Sequence, residues 1–239
     1  MDATDSKLQV FPRLVPAGDS AILIELGAEI DVAINDSVYA LVEQIKRANL
    51  RGVSEFIPTY RSLLVNYDPL VTSFRVLFEQ LTVILENQVV GEKIVFNPVV
   101  IELPVVYGGE AGPDIQNVAD HAGLTIEQVV DIHSSVDYRV YMIGFAPGFP
   151  YLGGLDSRIA TPRLKTPRIL IPAGSVGIAE SQTGVYPNES PGGWQIIGRT
   201  PIKMMDFQSE SLTKVSVGDK VRFNSISKQQ YFELGGILG

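Results

Sequence analysis

The sequence contains no cysteine and only two histidines among its 239 residues. Without cysteine there is no disulfide framework and no thiolate metal site, a composition that suits the reducing cytoplasm. His121 and His133 are too few for a common imidazole metal site, and no carboxylate pair accompanies them at ligand spacing. We therefore predict no metal. The familiar nucleophilic triads are also excluded, since the chain has neither a cysteine nor a G-x-S-x-G sequence.

Basic residues and long apolar runs are also scarce. The chain has 19 Lys and Arg against 27 Asp and Glu, a net charge of −8, so it lacks the basic field that holds nucleic acid or an anionic membrane. The acidic start at residues 1–5 is unlike a signal peptide, and no apolar run approaches the roughly 18 residues of a membrane span. With 45% apolar residues, the composition predicts a soluble, cytoplasmic protein of one or two folded domains.

The first hundred residues alternate between short strands and amphipathic helices. Two strands are predicted within residues 14–26, and a strand pair within residues 53–67. A helix with Asp31 as its N-cap precedes that pair, and a second helix follows it from about residue 74. This order predicts a small α/β sandwich as an N-terminal domain over residues 1–97, with its helices on one face of a sheet.

The remainder of the chain has a different pattern. After a strand at residues 99–106, a short helix is predicted from Asp114, and a second helix begins with a capping box formed by Thr125 and Gln128. Beyond residue 135 nearly everything is typical of short strands and turns, as in a β-barrel or sandwich. The fold class predicted is α+β, with a β-barrel as the C-terminal domain over residues 98–239.

Two local motifs could suggest nucleotide or nucleic-acid binding. The spacing from Ala119 through Gly123 to Val129 matches a helix-turn-helix, but the residues that would face DNA are acidic, which repels phosphate. The loop at residues 108–112 lies between a strand and a helix, but it contains Glu110 and lacks a P-loop lysine. We predict no nucleic-acid partner and interpret both segments as structural.

Glycine and proline are concentrated in one stretch. Between residues 144 and 201, 18 of 58 residues are Gly or Pro, against 37 of 239 in the whole chain. Barrel corners need glycine, so part of this enrichment has a purely architectural explanation. Aromatic and arginine side chains among such rigid loops favour a binding or catalytic surface instead. The candidate substrate-binding or interface residues fall into four groups: a wall of Phe145, Pro147, Gly148, Phe149 and Tyr151, the anion donors Arg163 and Arg199, the polar contacts Ser175 and Gln182, and the platform Trp194.

These motifs carry a resemblance to a known family. The runs LPVVYGG (103–109), GFAPGFPYL (144–152) and SPGGW (190–194) strongly resemble the B subunit of 5-oxoprolinase, a family also known as the sporulation kinase A inhibitor. The chain is similar as well to allophanate hydrolase subunit 1 and to the first half of the carboxyltransferase region of urea amidolyase. The resemblance spans nearly the whole length and implies a cyclophilin-like β-barrel as the C-terminal domain.

The resemblance also implies a function and partners. It implies a subunit of an ATP-dependent hydrolase that, with subunits A and C, converts 5-oxo-L-proline to L-glutamate. Such a subunit is expected to be inactive alone, with its catalytic residues unknown and its ATP site not located in this chain. The alternative is a regulatory protein that binds a sensor histidine kinase directly and inhibits its autophosphorylation. Both leave the oligomeric state open, including a homo-oligomer.

Overall fold

The computed structural model describes residues 10–88, 98–208 and 211–238. Contacts divide the chain into two compact units, Met1–Val95 and Phe96–Gly239. Each unit is described by itself below. That the chain forms two independent domains meeting between residues 97 and 98 stays a prediction.

The first unit is a four-stranded antiparallel sheet with two helices. Its strands lie in the order β1-β2-β4-β3 across the sheet. In chain order the elements are β1 (Arg13–Pro16), β2 (Ala21–Glu25), α1 (Val32–Ala48), β3 (Val53–Pro58), β4 (Ser62–Tyr67) and α2 (Phe74–Gln88). This order of strands and helices confirms the order predicted from the sequence.

Helix α1 begins where the sequence predicts. The Asp31 carboxylate accepts hydrogen bonds from the backbone N–H groups of Ala33 at 2.8 Å and Ile34 at 3.0 Å, which satisfies two of the free donors at the helix start. The helix is capped at its end by Asn49, whose backbone adopts the left-handed conformation.

Both helices of the first unit pack on the same sheet face. Alternate residues of β2 and β4, among them Ile22 and Leu63, are fully buried against Leu41 of α1 and Leu77 of α2. The period of two in the strands and the 3.6-residue period in the helices therefore turn their apolar positions toward a common core.

The second unit is built on a closed barrel of seven strands in the order β10-β7-β6-β13-β5-β12-β9, with a separate two-stranded sheet of β8 and β11. Strands β5 and β13 are parallel, and the other pairs are antiparallel. The elements are β5 (Val100–Tyr107), α3 (Ile115–Ala122), α4 (Ile126–Ser134), β6 (Asp137–Ile143), β7 (Pro150–Gly153), a 3₁₀ turn (Ser157–Ile159), β8 (Arg168–Ile171), β9 (Ser175–Ala179), β10 (Gln182–Val185), β11 (Ser190–Gly192), β12 (Gln195–Arg199), β13 (Lys220–Ser225) and α5 (Lys228–Glu233). The predicted β-barrel is confirmed.

The helix pair α3–α4 packs onto this barrel and does not expose a DNA-recognition helix. Ala119 of α3 and Val129 of α4 are fully buried in one core with the barrel strands. Gly123, with a φ of 65°, makes the turn between the helices, and the capping box of Thr125 and Gln128 is present. The structural interpretation of this motif is therefore confirmed.

A buried hydrogen-bonded chain crosses the interior of the second unit. His133 is fully buried, with Nδ1 2.8 Å from the Tyr107 hydroxyl and Nε2 2.9 Å from Thr183 Oγ1. Because Thr183 donates its own proton to the Gly177 carbonyl at 2.9 Å, we infer that Nε2 carries the imidazole proton and Nδ1 accepts from Tyr107. Burial lowers the pKa of His133 to about 3, so the ring is neutral and serves packing.

Among the residues that the structure describes, no helix combines the length and the apolar character needed to cross a bilayer.

The buried imidazole predicts a specific pH dependence of stability. The pKa of His133 rises from about 3 in the folded protein to 6.5 once exposed, so the unfolded chain binds more protons between these values. The free energy of unfolding should therefore fall as the pH drops below 6.5 and be about 2 kcal/mol lower near pH 5 than near pH 7.5. Urea titrations followed by the fluorescence of Trp194, the single tryptophan, measure it.

His133→Gln should remove this pH dependence over the same window. His121→Gln is the matched control, since this second histidine is exposed on α3, and it should retain the wild-type dependence. An equal pH dependence in His133→Gln and the wild type would contradict the assignment of the buried neutral ring.

Candidate functional site

A cavity of about 220 Å³ lies among the loops of the Gly/Pro-rich stretch and is called the aromatic pocket here. Its walls carry five aromatic side chains: Phe145, Phe149, Tyr151, Tyr186 and Trp194. The remaining lining residues are Arg163, Pro167, Pro191, Gly192 and Gly193. Five of the ten candidate residues named from the sequence thus meet in one place.

Phe149 is the centre of the aromatic packing. Its ring centroid lies 4.9 Å from Tyr151, 5.3 Å from Tyr186 and 5.4 Å from Trp194, each in edge-to-face geometry. Such pairs contribute about 0.5–1.5 kcal/mol each beyond the burial of their area. Phe149 is 1% exposed, so it supports the pocket from beneath.

A glycine makes this close packing possible. Gly184 on β10 lies against the Phe149 ring, and a Cβ there would be 3.0 Å from Phe149 Cζ and 3.0 Å from the Pro150 carbonyl. Any larger residue at this position must push the central ring outward. The glycine enrichment of the stretch is therefore partly a packing requirement of the pocket.

The loop between β6 and β7 presents Phe145 at the pocket rim. Gly144 donates its N–H to the Phe149 carbonyl at 3.0 Å, and Phe149 donates to the Ala146 carbonyl at 3.0 Å, which closes the loop tightly. Phe145 has a φ of 65° and is 65% exposed. A large side chain held in the left-handed region and exposed to solvent is a strained arrangement that often accompanies a functional site.

Arg163 is the charged group of the pocket, and its backbone is held on both sides. The Pro162 carbonyl accepts from the side-chain Nε2 of Gln195 at 2.9 Å, and Leu164 donates its N–H to the Gly193 carbonyl at 2.7 Å. The Arg163 guanidinium lies 6.0 Å from the centroid of the Trp194 ring, in cation–π range, while its side chain is exposed. The backbone that carries this guanidinium is therefore held in place before any ligand binds.

A buried carboxylate anchors the segment that carries Arg163. Asp114 accepts two hydrogen bonds from the Arg168 guanidinium, at 2.8 and 2.6 Å, and a third from the N–H of Ile196 at 2.7 Å. Asp114 is 3% exposed, and bidentate pairs of this kind are both strong and directional. The sequence predicts Asp114 only as a helix start, and its carboxylate makes no capping bond.

The electrostatics of the pocket favour an anionic ligand. Burial raises the pKa of Tyr186 to about 12 and also raises that of Tyr151, with Arg163 opposing both shifts, so both hydroxyls stay protonated at neutral pH. Of the described lining residues, none is a carboxylate, a histidine or a serine. The pocket can thus bind an apolar, flat group beside a negative charge, but it supplies no general base.

The other five candidate residues do not line this pocket. Pro147 is exposed in the β6–β7 loop, and Gly148, with a φ of 81°, packs on Met205. Gln182 begins β10, next to the turn at residues 180–181.

Ser175 and Arg199 are buried on β9 and β12, opposite each other in the strand ladder. These two residues lie away from the aromatic pocket because of the order in which the barrel strands pair. No local sequence pattern predicts that order.

Sequence reasoning passed over Tyr186, Pro167 and residues 191–193 at the end of β11 as lining residues. All lie inside the Gly/Pro-rich stretch, so this enrichment is the signal that could have identified them. Across the described part of the chain, no group of three or more His, Cys, Asp or Glu residues is placed to hold a metal ion.

The strain at Phe145 predicts an unusual order of stabilities. Phe145→Gly should be more stable than Phe145→Ala by about 1 kcal/mol, because only glycine adopts a positive φ without a steric penalty. Urea unfolding of the two variants measures the difference. Phe207→Gly and Phe207→Ala are the controls, because Phe207 is exposed and its backbone lies outside the left-handed region. At this position the alanine variant should be the more stable of the two. A more stable alanine at both positions would refute the strain.

Comparison with known proteins shows the family to which the chain is similar. Residues 12–214 match the model of the family described as carboxyltransferase domain, subdomain C and D. The B subunit of 5-oxoprolinase from Bacillus subtilis (strain 168) is 45% identical over 228 residues, which cover 90% of this chain and 92% of that protein.

Two solved structures extend the comparison. PH0987, a conserved protein of Pyrococcus horikoshii, is 48% identical with a TM-score of 0.55, over 92% of this chain and 100% of that chain. TTHA0988 is 33% identical with a TM-score of 0.75 over 87% of this chain, which spans only 40% of the TTHA0988 chain. The matches to these relatives cover most of the chain, and the family model spans the residues that line the aromatic pocket. The chain belongs to the 5-oxoprolinase B-subunit family of carboxyltransferase-domain proteins.

Proposed function

We propose that this chain is the B subunit of an ATP-dependent 5-oxoprolinase, acting with subunits A and C to cleave 5-oxo-L-proline to L-glutamate. The observation that carries the proposal is the aromatic pocket, in which Arg163 is the one charged residue of the described lining, among five aromatic rings. The names of its relatives support the same activity, since the Bacillus subtilis protein is called a subunit of this enzyme.

The substrate has the two chemical features that the pocket favours. 5-Oxo-L-proline is a five-membered lactam with one carboxylate, so it offers a compact apolar ring beside a negative charge. We place the ring between Tyr151 and Trp194 and the carboxylate on the Arg163 guanidinium, where a planar fork matches a carboxylate in two hydrogen bonds. A cavity of about 220 Å³ suits a molecule of this small size.

The missing chemistry supports a shared site. Opening a lactam needs an activated nucleophile and a group that takes up or delivers protons. The described lining of the pocket has neither, since its tyrosines stay protonated and its only charge is a guanidinium. We therefore assign substrate binding to this chain and catalysis to groups that subunits A and C complete.

ATP enters this proposal through the complex and not through a site located in this chain. The proposal also includes the finer features implied by the resemblance: a cyclophilin-like relationship of the barrel, two domains meeting near residue 97, and a cytoplasmic location. Within the described residues no feature favours the alternative, inhibition of a sensor histidine kinase.

Arg163→Ala should lower kcat/KM for 5-oxo-L-proline by about 10- to 100-fold in the reconstituted three-subunit complex. The physical reason is the loss of the charged interaction with the substrate carboxylate, which at this exposed guanidinium contributes about 1.5–3 kcal/mol in total. The measurement is 5-oxo-L-proline-dependent ATP hydrolysis, with the melting temperature of the isolated variant recorded beside it. That temperature should stay unchanged, because the Arg163 side chain is exposed.

Lys165→Ala is the matched control, since it removes one positive charge from an exposed residue of the same segment that does not line the pocket. This variant should keep wild-type turnover. Unchanged kcat/KM in Arg163→Ala would remove Arg163 from the substrate site, and unchanged activity on omission of this chain from the mixture would overturn the proposed function.

A further inference from the structure

A second cavity, of about 200 Å³, lies on the outside of the barrel at the carboxyl end of β12. One side is formed by the turn at Ala173 and Gly174, and another by residues 200–203 after β12. Tyr231 of α5 and residues 235–237 form the remaining side. None of these residues lines the aromatic pocket, so this is a separate place on the second unit.

Beneath residues 235–237 lies a guanidinium without an opposite charge. Arg199 is 7% exposed, and no carboxylate of the described residues lies within ion-pair distance of it. Its Nη1 donates to the Ile237 carbonyl at 3.3 Å, a long hydrogen bond, and the guanidinium also hydrogen-bonds the Tyr231 hydroxyl. Its Nε is buried with no partner among the described groups. An arginine stays protonated in proteins, so it cannot become neutral when it is buried. The desolvation of its charge therefore costs free energy unless an anion binds to it.

A second unpartnered donor lies beside this guanidinium. Ser175 is directly opposite Arg199 in the ladder of β9 and β12, so both side chains point to the same side of the sheet. Ser175 is fully buried, and its Oγ has no hydrogen-bond partner among the described groups. Two neighbouring buried donors that lack acceptors are what a bound oxyanion would satisfy together.

The surrounding charges have the same sign. Lys203 is exposed at the cavity rim, and none of the described lining residues is acidic. Burial raises the pKa of the Tyr231 hydroxyl, an effect that Arg199 opposes, and this hydroxyl donates to the Ile237 carbonyl at 3.4 Å. In a chain of net charge −8, this is a local concentration of positive charge and hydroxyl donors.

We propose that Arg199, Ser175 and Lys203 form a binding site for a small carboxylate, which enters from this cavity and replaces the Ile237 carbonyl on the Arg199 guanidinium. The planar guanidinium matches a carboxylate in two parallel hydrogen bonds, and the Ser175 hydroxyl donates to the same group. Arg199 and Ser175 are not themselves lining residues of the cavity, and the cavity volume admits a small molecule rather than a macromolecular segment. The site is independent of the aromatic pocket and of the proposed oxoprolinase function.

The test uses acetate as the probe on the full chain. We expect saturable binding in a ligand-detected NMR titration at constant ionic strength, with sodium chloride as the reference salt. The Nε–H resonance of Arg199, assigned by its disappearance in Arg199→Lys, should shift with the same saturation. Ser175→Ala and Lys203→Ala should each raise the acetate dissociation constant by about 5-fold or more, the loss of one hydrogen bond or one nearby charge.

Lys165→Ala is the charge-matched control and should bind acetate like the wild type, because Lys165 lies outside this cavity. Failure of Arg199→Lys to fold would not affect the test, since the Ser175 and Lys203 variants report on the same site. Acetate binding that is absent, or equal in the wild type and both variants, would overturn the proposal. So would saturable binding of inorganic phosphate without binding of acetate.

Discussion

The candidate site depends on the hydrogen bonds that the buried Asp114 carboxylate accepts. This carboxylate joins three parts of the second unit: the start of α3, the backbone of β12 at Ile196, and the Arg168 guanidinium on β8. Because it is buried, removing one partner would leave a charge without compensation, and the loop segment would lose its attachment. The position of the Arg163 backbone beside Trp194 follows from this anchor, from the hydrogen bond of the Gln195 side chain to Pro162, and from the backbone hydrogen bond between Leu164 and Gly193.

The aromatic pocket combines rigidity with a limited set of chemical groups. Edge-to-face packing around Phe149, made possible by the absence of a side chain at Gly184, fixes the walls before a ligand binds. Such preorganisation lowers the entropy that binding must overcome. The described lining nevertheless contains no carboxylate, histidine or serine, which is why the proposed function assigns catalysis to other subunits.

Two arginines of one Gly/Pro-rich stretch have opposite environments. Arg163 is exposed over an aromatic ring, where its charge is solvated and available. Arg199 is buried beside Ser175 and has only neutral partners among the described residues, the Ile237 carbonyl and the Tyr231 hydroxyl, so its charge is poorly compensated. The same side chain therefore supports two proposals of different kinds, one for substrate recognition and one for a separate anion site.

Local patterns by themselves determined the elements: the Asp31 cap, the box of Thr125 and Gln128, and the alternation of strands were all predictable because they depend on neighbours in sequence. Composition likewise located the stretch that lines the pocket, and the motifs 103–109, 144–152 and 190–194 indicated the family. A β-barrel was predicted as well, but only the tertiary structure decided the order of its strands, the pairing of Asp114 with Arg168, and the separation of Ser175 and Arg199 from Phe149. The physical reason is that strand register and burial depend on contacts between residues far apart in the chain, which no local pattern contains.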